Sequence, residues 1–204
     1  MRWPRFVGLR SLAVEAGRDN PSRHLVAVSP QTLSKVSVMF APADPISIVD
    51  KVSGSQASIS LKHGFNCFRF RAVVDGRVVD VIDSAADFPD TGARPSGNGT
   101  PILFPFPNRI AGGRFQWDGK DYQIPLAGNA PNAIHGFAHT VPWRVIARTE
   151  DTVTAEFQLS RDNPAMVKSW PADCRIQLRY GVLGATLRMD ITISNPDDRP
   201  LPWG

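Results

Sequence analysis

Short segments of alternating apolar and polar residues run through the chain from residue 57 onward. In one of them, Phe68, Phe70 and Ala72 alternate with Arg69 and Arg71. Residues 57–61 and 186–194 show the same period of two. This period is expected for a β-strand that buries one of its two faces. The pattern therefore predicts short strands from residue 57 to the end of the sequence.

Turn residues divide these strand-like segments into pairs. Asp75-Gly76 and Asp118-Gly119 each lie between two such segments. Asp-Gly tolerates the positive φ angles of a type I′ turn, which makes it a strong signal for a β-hairpin. Two more hairpins are predicted from the pairing of residues 143–148 with 152–159 and of residues 174–180 with 186–194.

Helices are not favoured anywhere in the chain. Its 18 prolines are scattered along the sequence, and a proline inside a helix costs about 3 kcal/mol. Many short strands joined by turns are typical of a sandwich or a barrel. The predicted fold class is therefore all-β, with antiparallel strands.

Residues 1–50 lack a clear helical or strand period and are rich in Arg, Ser and Pro. We predict that they form an extension, disordered or not native, and that residues 51–204 form the folded domain. A secretory signal peptide is disfavoured because the apolar residues after the start are interrupted at Arg10. An organellar transit peptide and a true translation start at Met39 remain alternatives.

Charge and composition exclude several functional classes. Residues 1–38 hold six basic and two acidic residues, which accounts for the whole net charge of +4. The later residues carry no basic stripe, so nucleic-acid binding is not predicted. The sequence contains no run of 18 apolar residues, which a membrane helix would need. The lack of targeting signals predicts a cytoplasmic location.

The sequence also predicts neither a metal site nor a cofactor. Its two cysteines, Cys67 and Cys174, do not form a Cys-x-x-Cys motif and fall in strand-like segments, so buried reduced thiols are expected. The Gly-x-Gly-x-x-Gly motif of dinucleotide-binding proteins is absent.

Candidate chemistry is concentrated between residues 100 and 143. A run with three prolines, residues 101–107, is followed at once by the polar pair Asn108-Arg109. Proline removes backbone donors, so this run is expected to be an edge or an extended loop packed on the core. A polar loop, residues 128–132, then leads to His135, which lies between Ile134 and Gly136.

These residues form an ordered series of motifs. The series is Pro105-Phe-Pro-Asn-Arg-Ile110, Gly113-Arg-Phe115, Gly119-Lys-Asp-Tyr122 and Ile134-His-Gly136. It resembles the signature of the aldose 1-epimerase (galactose mutarotase) family over about residues 57–204. The resemblance implies a galactose mutarotase-like antiparallel β-sandwich and a cofactor-free isomerase of carbohydrate metabolism. The implied partner is a small-molecule aldohexose such as glucose or galactose.

The resemblance also assigns roles to three residues. His135 takes the place of an active-site histidine that bonds to the sugar, and we expect it to be catalytic. Arg109 takes the place of an arginine that binds sugar hydroxyls, and Asn108 is a weaker candidate for substrate binding. Acid and base groups in such positions open and re-close the hemiacetal ring, which interconverts the α and β anomers.

Two family residues have no match in this sequence. The acid histidine of the family is expected a few residues beyond Gly204, and the base glutamate further on; His139 lies in a different motif and is not assigned to that role. We therefore expect a truncated sandwich, incomplete at its C-terminus, that is weakly active or inactive.

Four matters stay open at this point. One alternative is a non-catalytic carbohydrate-binding sandwich. Another is a sugar-phosphate 1-epimerase, in which Arg94 or Arg114 would face the phosphate. The preferred sugar and the oligomeric state are not indicated by the sequence.

Overall fold

The computed structural model describes residues 44–204, and within this range the structure is mostly β-strand. The strands, in chain order, are β1 (Ile46–Val49), β2 (Gln56–Ser60), β3 (Asn66–Val74), β4 (Arg77–Asp80), β5 (Arg109–Ala111), β6 (Arg114–Trp117), β7 (Lys120–Gln123), β8 (Asn132–Ile134), β9 (Arg144–Arg148), β10 (Thr152–Gln158), β11 (Arg175–Leu183) and β12 (Thr186–Ser194).

These strands form two larger sheets and two small ones. The first sheet has the order β1-β2-β3-β4 and the second has the order β12-β11-β10-β9. Two-stranded sheets are formed by β5 with β8 and by β6 with β7. Every strand pair is antiparallel.

The two four-stranded sheets share one hydrophobic core. Ile48 on β1 and Ile59 on β2 belong to the same buried cluster as Phe157 on β10 and Leu178 on β11. Val49 connects the sheets at one end, where its backbone N–H donates to the carbonyl of Glu150 at 2.8 Å. The predicted all-β antiparallel sandwich is therefore confirmed.

The start of the folded part lies earlier than the predicted boundary. The predicted extension covers residues 1–50, but Ile46–Val49 is a strand that pairs with β2 and buries Ile46 and Ile48 in the core. The sequence did not reveal this strand, because it is short and no Asp-Gly turn joins it to β2. The rest of the predicted extension, residues 1–43, lies outside the described residues.

The predicted hairpins are present. Asp75 and Gly76 have φ angles of 50° and 72°, and Asp118 and Gly119 have φ angles of 50° and 74°. Positive φ at both central residues is the requirement of the type I′ turn. The hairpins β9–β10 and β11–β12 also form as predicted.

Helical structure is limited to short segments in the described residues. The helices α1 (Phe88–Thr91) and α2 (Leu159–Asp162) have four residues each. Between residues 44 and 204 there is no helix with the length and apolar character needed to span a membrane.

Both cysteines are buried and unpaired, as predicted. Burial raises the pKa of the Cys67 thiol to about 12, so this group stays protonated and unreactive at neutral pH.

Candidate functional site

The proline-rich segment between α1 and β5 is an extended, buried chain. Phe104 and Phe106 are almost fully buried, although the segment belongs to no sheet. The carbonyl oxygen of Phe104 accepts hydrogen bonds from the backbone N–H groups of Phe137 at 2.8 Å and Ala138 at 3.2 Å. These bonds attach the segment to the loop that follows His135.

Gly136 allows this close approach. A Cβ atom at this position would lie 2.2 Å from the carbonyl oxygen of Phe104, which is far inside a normal contact distance. Gly136 also has a φ angle of 69°, in the left-handed region that favours glycine. The glycine of the Ile-His-Gly motif is therefore required by the packing.

The short β5–β8 ladder brings the three predicted site residues together. Arg109 pairs with Ile134, and the backbone N–H of His135 donates to the carbonyl of Asn108 at 2.9 Å. Asn108, Arg109 and His135 therefore lie at the same end of this ladder, although about 26 residues separate them in sequence.

Two of these residues have unusual backbone angles. Asn108 has a φ angle of 66° and His135 a φ angle of 65°. Positive φ is uncommon for residues other than glycine, and such conformations cluster at functional sites. The two residues flank the ladder at the same end, one directly before β5 and the other directly after β8.

Arg109 is exposed, and most of its N–H donors have no hydrogen-bond partner among the described residues. Its Nη1 donates to Oδ1 of Asn108 at 3.2 Å, the only hydrogen-bond partner of this guanidinium among residues 44–204. A guanidinium has five N–H donors, so several remain for a ligand.

His135 is held in its neutral form. Burial has the largest effect in lowering the pKa of His135, and the positive charge of Arg109 lowers this pKa further. Within the described residues, Nδ1 of His135 is buried and has no hydrogen-bond partner. Nε2 is therefore the ring nitrogen that meets the surface. Because a neutral imidazole has one donor and one acceptor nitrogen, this ring can exchange a proton with a ligand near neutral pH.

A fourth residue, His139, joins the site and was left unassigned from the sequence. Only 8% of its surface is exposed, and its ring lies 5.9 Å from that of His135 at an interplanar angle of 90°. Burial, and then the nearby His135, lowers the pKa of His139 to about 4. The four-residue spacing between the two histidines is the only sequence signal for this pair, and it is too general to be predictive.

The two arginines considered for a phosphate lie apart from this cluster in their contacts. Nε of Arg114 donates to Oε1 of Gln123 at 2.9 Å on the β6–β7 hairpin, beside a cavity of about 550 Å³. Arg94 precedes a short 3₁₀ turn, Pro95–Gly97. Neither side chain shares a described hydrogen bond with Asn108, Arg109 or His135.

Residues 44–204 contain no group of three or more His, Cys, Asp or Glu side chains arranged to hold a metal ion. The arrangement at the β5–β8 ladder is instead one of hydrogen-bond donors and a neutral imidazole, which suits a polyhydroxyl ligand.

Comparison with curated proteins gives relatives that are longer than this chain. The uncharacterized protein YihR of Escherichia coli (strain K12) is 35% identical over 107 residues, which cover 50% of this chain and 32% of that protein. The galactose mutarotase of Rattus norvegicus is 32% identical over 83 residues, which cover 39% of this chain and 22% of that protein. The matched part is thus a third or less of these two relatives.

Solved structures share the fold over about half their length. A galactose mutarotase-like protein from Clostridium acetobutylicum has a TM-score of 0.63 and 24% identity, covering 78% of this chain and 52% of that one. The Slr1438 protein from Synechocystis sp. PCC 6803 has a TM-score of 0.59 and 26% identity, covering 83% of this chain and 55% of that one. The sandwich is therefore of the galactose mutarotase-like type.

The family is identified by a family-wide sequence comparison. Residues 73–204 match the family model described as aldose 1-epimerase, and this range includes Asn108, Arg109, His135 and His139. The match extends over well more than half of the chain. The chain therefore belongs to the aldose 1-epimerase family.

Proposed function

We propose that this chain carries the sugar-binding part of an aldose 1-epimerase site. In this proposal Arg109 and Asn108 bind hydroxyl groups of an aldohexose such as glucose or galactose, and His135 contacts the sugar and takes part in proton transfer. The observation that supports it best is the β5–β8 ladder, which brings Arg109 next to His135.

The chemistry of the family fits a site made of these groups. Interconversion of anomers opens the hemiacetal ring when a base removes the proton of the anomeric hydroxyl and an acid protonates the ring oxygen. Re-closure on the other face of the carbonyl reverses both transfers. No electrons are exchanged, so proton donors and acceptors are sufficient, each contributing about 10²–10⁴-fold to the rate.

Arg109 supplies the binding part of this chemistry. Its planar guanidinium presents N–H donors in a fixed fork, and these match adjacent hydroxyl oxygens. A hydrogen bond to a charged group contributes about 1.5–3 kcal/mol. Loss of this side chain therefore weakens binding by about tenfold or more, since 1.4 kcal/mol corresponds to one factor of ten.

His135 supplies a group that can transfer a proton. Its lowered pKa keeps the imidazole neutral at neutral pH, so the ring can donate one hydrogen bond and accept another. The resemblance assigns the acid histidine and base glutamate of the family to no residue of these 204. We therefore expect this polypeptide alone to bind sugar and to have little or no mutarotase activity.

A role in cytoplasmic carbohydrate metabolism goes with this proposal. Non-catalytic carbohydrate binding is the second candidate function. It uses the same binding residues, so an activity measurement is needed to separate the two functions.

Calorimetric titration with galactose and glucose tests the binding. The wild-type chain is compared with Arg109→Ala and His135→Ala, and Arg77→Ala on β4, also exposed, is the matched control. We expect binding that is weakened about tenfold or more by both site variants and unchanged in the control. Absence of binding, or equal affinities in all four proteins, would contradict the proposal.

Polarimetry with freshly dissolved α-galactose tests the activity. We expect a rate close to the spontaneous one. A high rate that His135→Ala abolishes would show that this chain is a complete catalyst, and would rule out the non-catalytic candidate.

A further inference from the structure

His139 is fixed in place by the packing of its own loop. A Cβ atom added to Gly64, in the turn between β2 and β3, would lie 2.5 Å from the Cα atom of His139. The backbone N–H of Gly64 also donates to the carbonyl of Val141 at 3.1 Å. The turn therefore packs directly on the His139 backbone and restricts its movement.

The other side of the loop is fixed as well. Nε1 of Trp143, a buried residue, donates to the carbonyl of Ala138 at 2.9 Å. The N–H of Ala138 donates to Phe104. Ala138, the residue before His139, is therefore hydrogen-bonded through both its N–H and its carbonyl. These bonds hold the backbone that carries the His139 ring.

The ring of His139 forms a wall beside His135. The two rings are perpendicular, with centroids 5.9 Å apart, and His139 is almost completely buried while His135 is partly exposed. Perpendicular contact is a preferred geometry for aromatic rings. The His139 ring therefore occupies the space on the inner side of the His135 ring.

We propose that His139 is a positioning residue of the site, which holds the imidazole of His135 with Nε2 at the surface near Arg109. This inference rests on the proposed function, because it gives His139 a part in the same sugar site. His139 itself does not touch the sugar. It acts through the orientation of His135 and through the exclusion of water from the inner side of that ring.

The charges around the pair agree with this role. The charged group that acts on His135 is Arg109 on β5, and the titratable group that acts on His139 is His135 itself. The pKa of His139 is about 4, so its ring is neutral at neutral pH and adds no second positive charge to the site. At that pH His139 therefore affects the site through the space that its ring fills, and not through a charge.

The test is an NMR titration of the His135 ring with pH, in proteins that vary only at position 139. His139→Ala removes the wall, and His139→Phe keeps a ring while removing both nitrogens. His63→Ala is the matched control for the loss of an imidazole, because the His63 ring also has a buried nitrogen without a partner among the described residues and packs against Phe88, while its neighbour Gly64 keeps the backbone contact with the His139 loop. His139→Val, which also leaves a smaller side chain than histidine, replaces the alanine variant if the latter does not fold, as judged by thermal melting, and the same rise of the His135 midpoint is then expected.

We expect the His135 midpoint of the wild-type protein to lie below the ordinary value of 6.5. It should rise toward 6.5 in His139→Ala, because water enters, and it should stay low in His139→Phe and His63→Ala. Galactose affinity should fall about tenfold in His139→Ala and recover in His139→Phe. An unchanged His135 midpoint in a folded His139→Ala protein would overturn the inference, as would a folded His139→Phe protein that behaves like the alanine variant.

The two readouts separate this inference from the proposed function. If the wild-type chain binds no sugar, the proposed function fails. The pH titration of His135 still decides whether His139 positions that ring.

Discussion

At the scale of single residues, the site depends on left-handed backbone at Asn108, His135 and Gly136. The order of the motifs gave Asn108, Arg109 and His135 as candidates, which the β5–β8 ladder brings together, and Gly136 was part of the same motif. The positive φ of His135 was not readable from the sequence, because histidine has no intrinsic preference that requires it. The role of His139 was also hidden, since its burial depends on the distant turn at Gly64.

Substitution of Gly136 tests the packing of this loop. Gly136→Ala should reduce the free energy of unfolding by about 3 kcal/mol or more, because strain at positive φ is added to a collision with the backbone of Phe104. Gly119→Ala is the matched control, with a φ of 74° and no atom within 4 Å of the added Cβ. It should cost only about 1–2 kcal/mol. Urea unfolding measures both, and equal losses would contradict the described contact.

Substitution of Arg109 tests its effect on the histidine. Because the positive charge of Arg109 lowers the pKa of His135, Arg109→Ala should raise the NMR titration midpoint of His135. Arg109→Lys keeps the charge, so the midpoint should stay low while sugar affinity falls, since the ammonium lacks the planar fork. A midpoint that is the same in the alanine variant and the wild type would show that the two groups do not interact.

At the scale of elements, local sequence signals predicted the hairpins, but they did not predict strands that pair across a long stretch of sequence. Asp-Gly turns predicted β3–β4 and β6–β7 because the requirement for positive φ lies in two adjacent residues. The β5–β8 ladder was not predicted, since each strand has three residues and their pairing spans the intervening β6–β7 hairpin. Strand β1 was missed because, unlike the equally short β4, β6 and β7, it has no Asp-Gly turn beside it.

Strand β10 carries a charged network that links the elements around it. Arg144 on β9 donates to Glu156 at 2.7 Å and to Asp162 on α2 at 2.7 Å, and Gln177 on β11 donates to Glu156 at 2.6 Å. Burial raises the pKa of Glu156, but the hydrogen bonds from Gln177 and Arg144 outweigh it, so the pKa is lowered below 4.5.

This network predicts a loss of stability in acid. A pKa that is lower in the folded state contributes stability above the ordinary value of 4.5, and this contribution is lost as the pH falls through the folded pKa. Glu156→Gln should therefore reduce the fall in unfolding free energy between pH 7 and pH 3, measured by urea unfolding. The matched control is Glu150→Gln, an exposed residue paired with Lys51. If Glu156→Gln keeps the full wild-type dependence on pH, the network does not have this role.

At the scale of the whole molecule, the two sheets bury one core, but part of the apolar face of the β12-β11-β10-β9 sheet is exposed. On β11, Tyr180 and Leu178 are buried, and their partners on β12 are Met189 and Ile191. These two residues are 44% and 47% exposed, so the apolar face of the sheet continues onto an uncovered edge strand in the described part of the chain. The alternating pattern of β12 predicted the strand, but the sequence alone did not show which strand lacks cover.

Such an edge predicts self-association, because an uncovered apolar strand with free backbone groups can pair with another chain. Ile191→Lys should shift the protein toward the monomer in sedimentation velocity experiments at increasing concentration. Thr192→Lys adds the same charge at the next position, which faces the other side of the strand, and should have a smaller effect. A wild-type protein that is monomeric at all concentrations would contradict this prediction.

Arg109 and His135 are proposed to form one sugar site, and an NMR titration with galactose follows both side chains in a single experiment. The Nε–Hε signal of Arg109 and the imidazole signals of His135 are followed in the same samples as the sugar concentration rises. We predict that both sets of signals shift and saturate with the same dissociation constant. Signals that do not move, or that saturate at clearly different sugar concentrations, would rule out a shared sugar site.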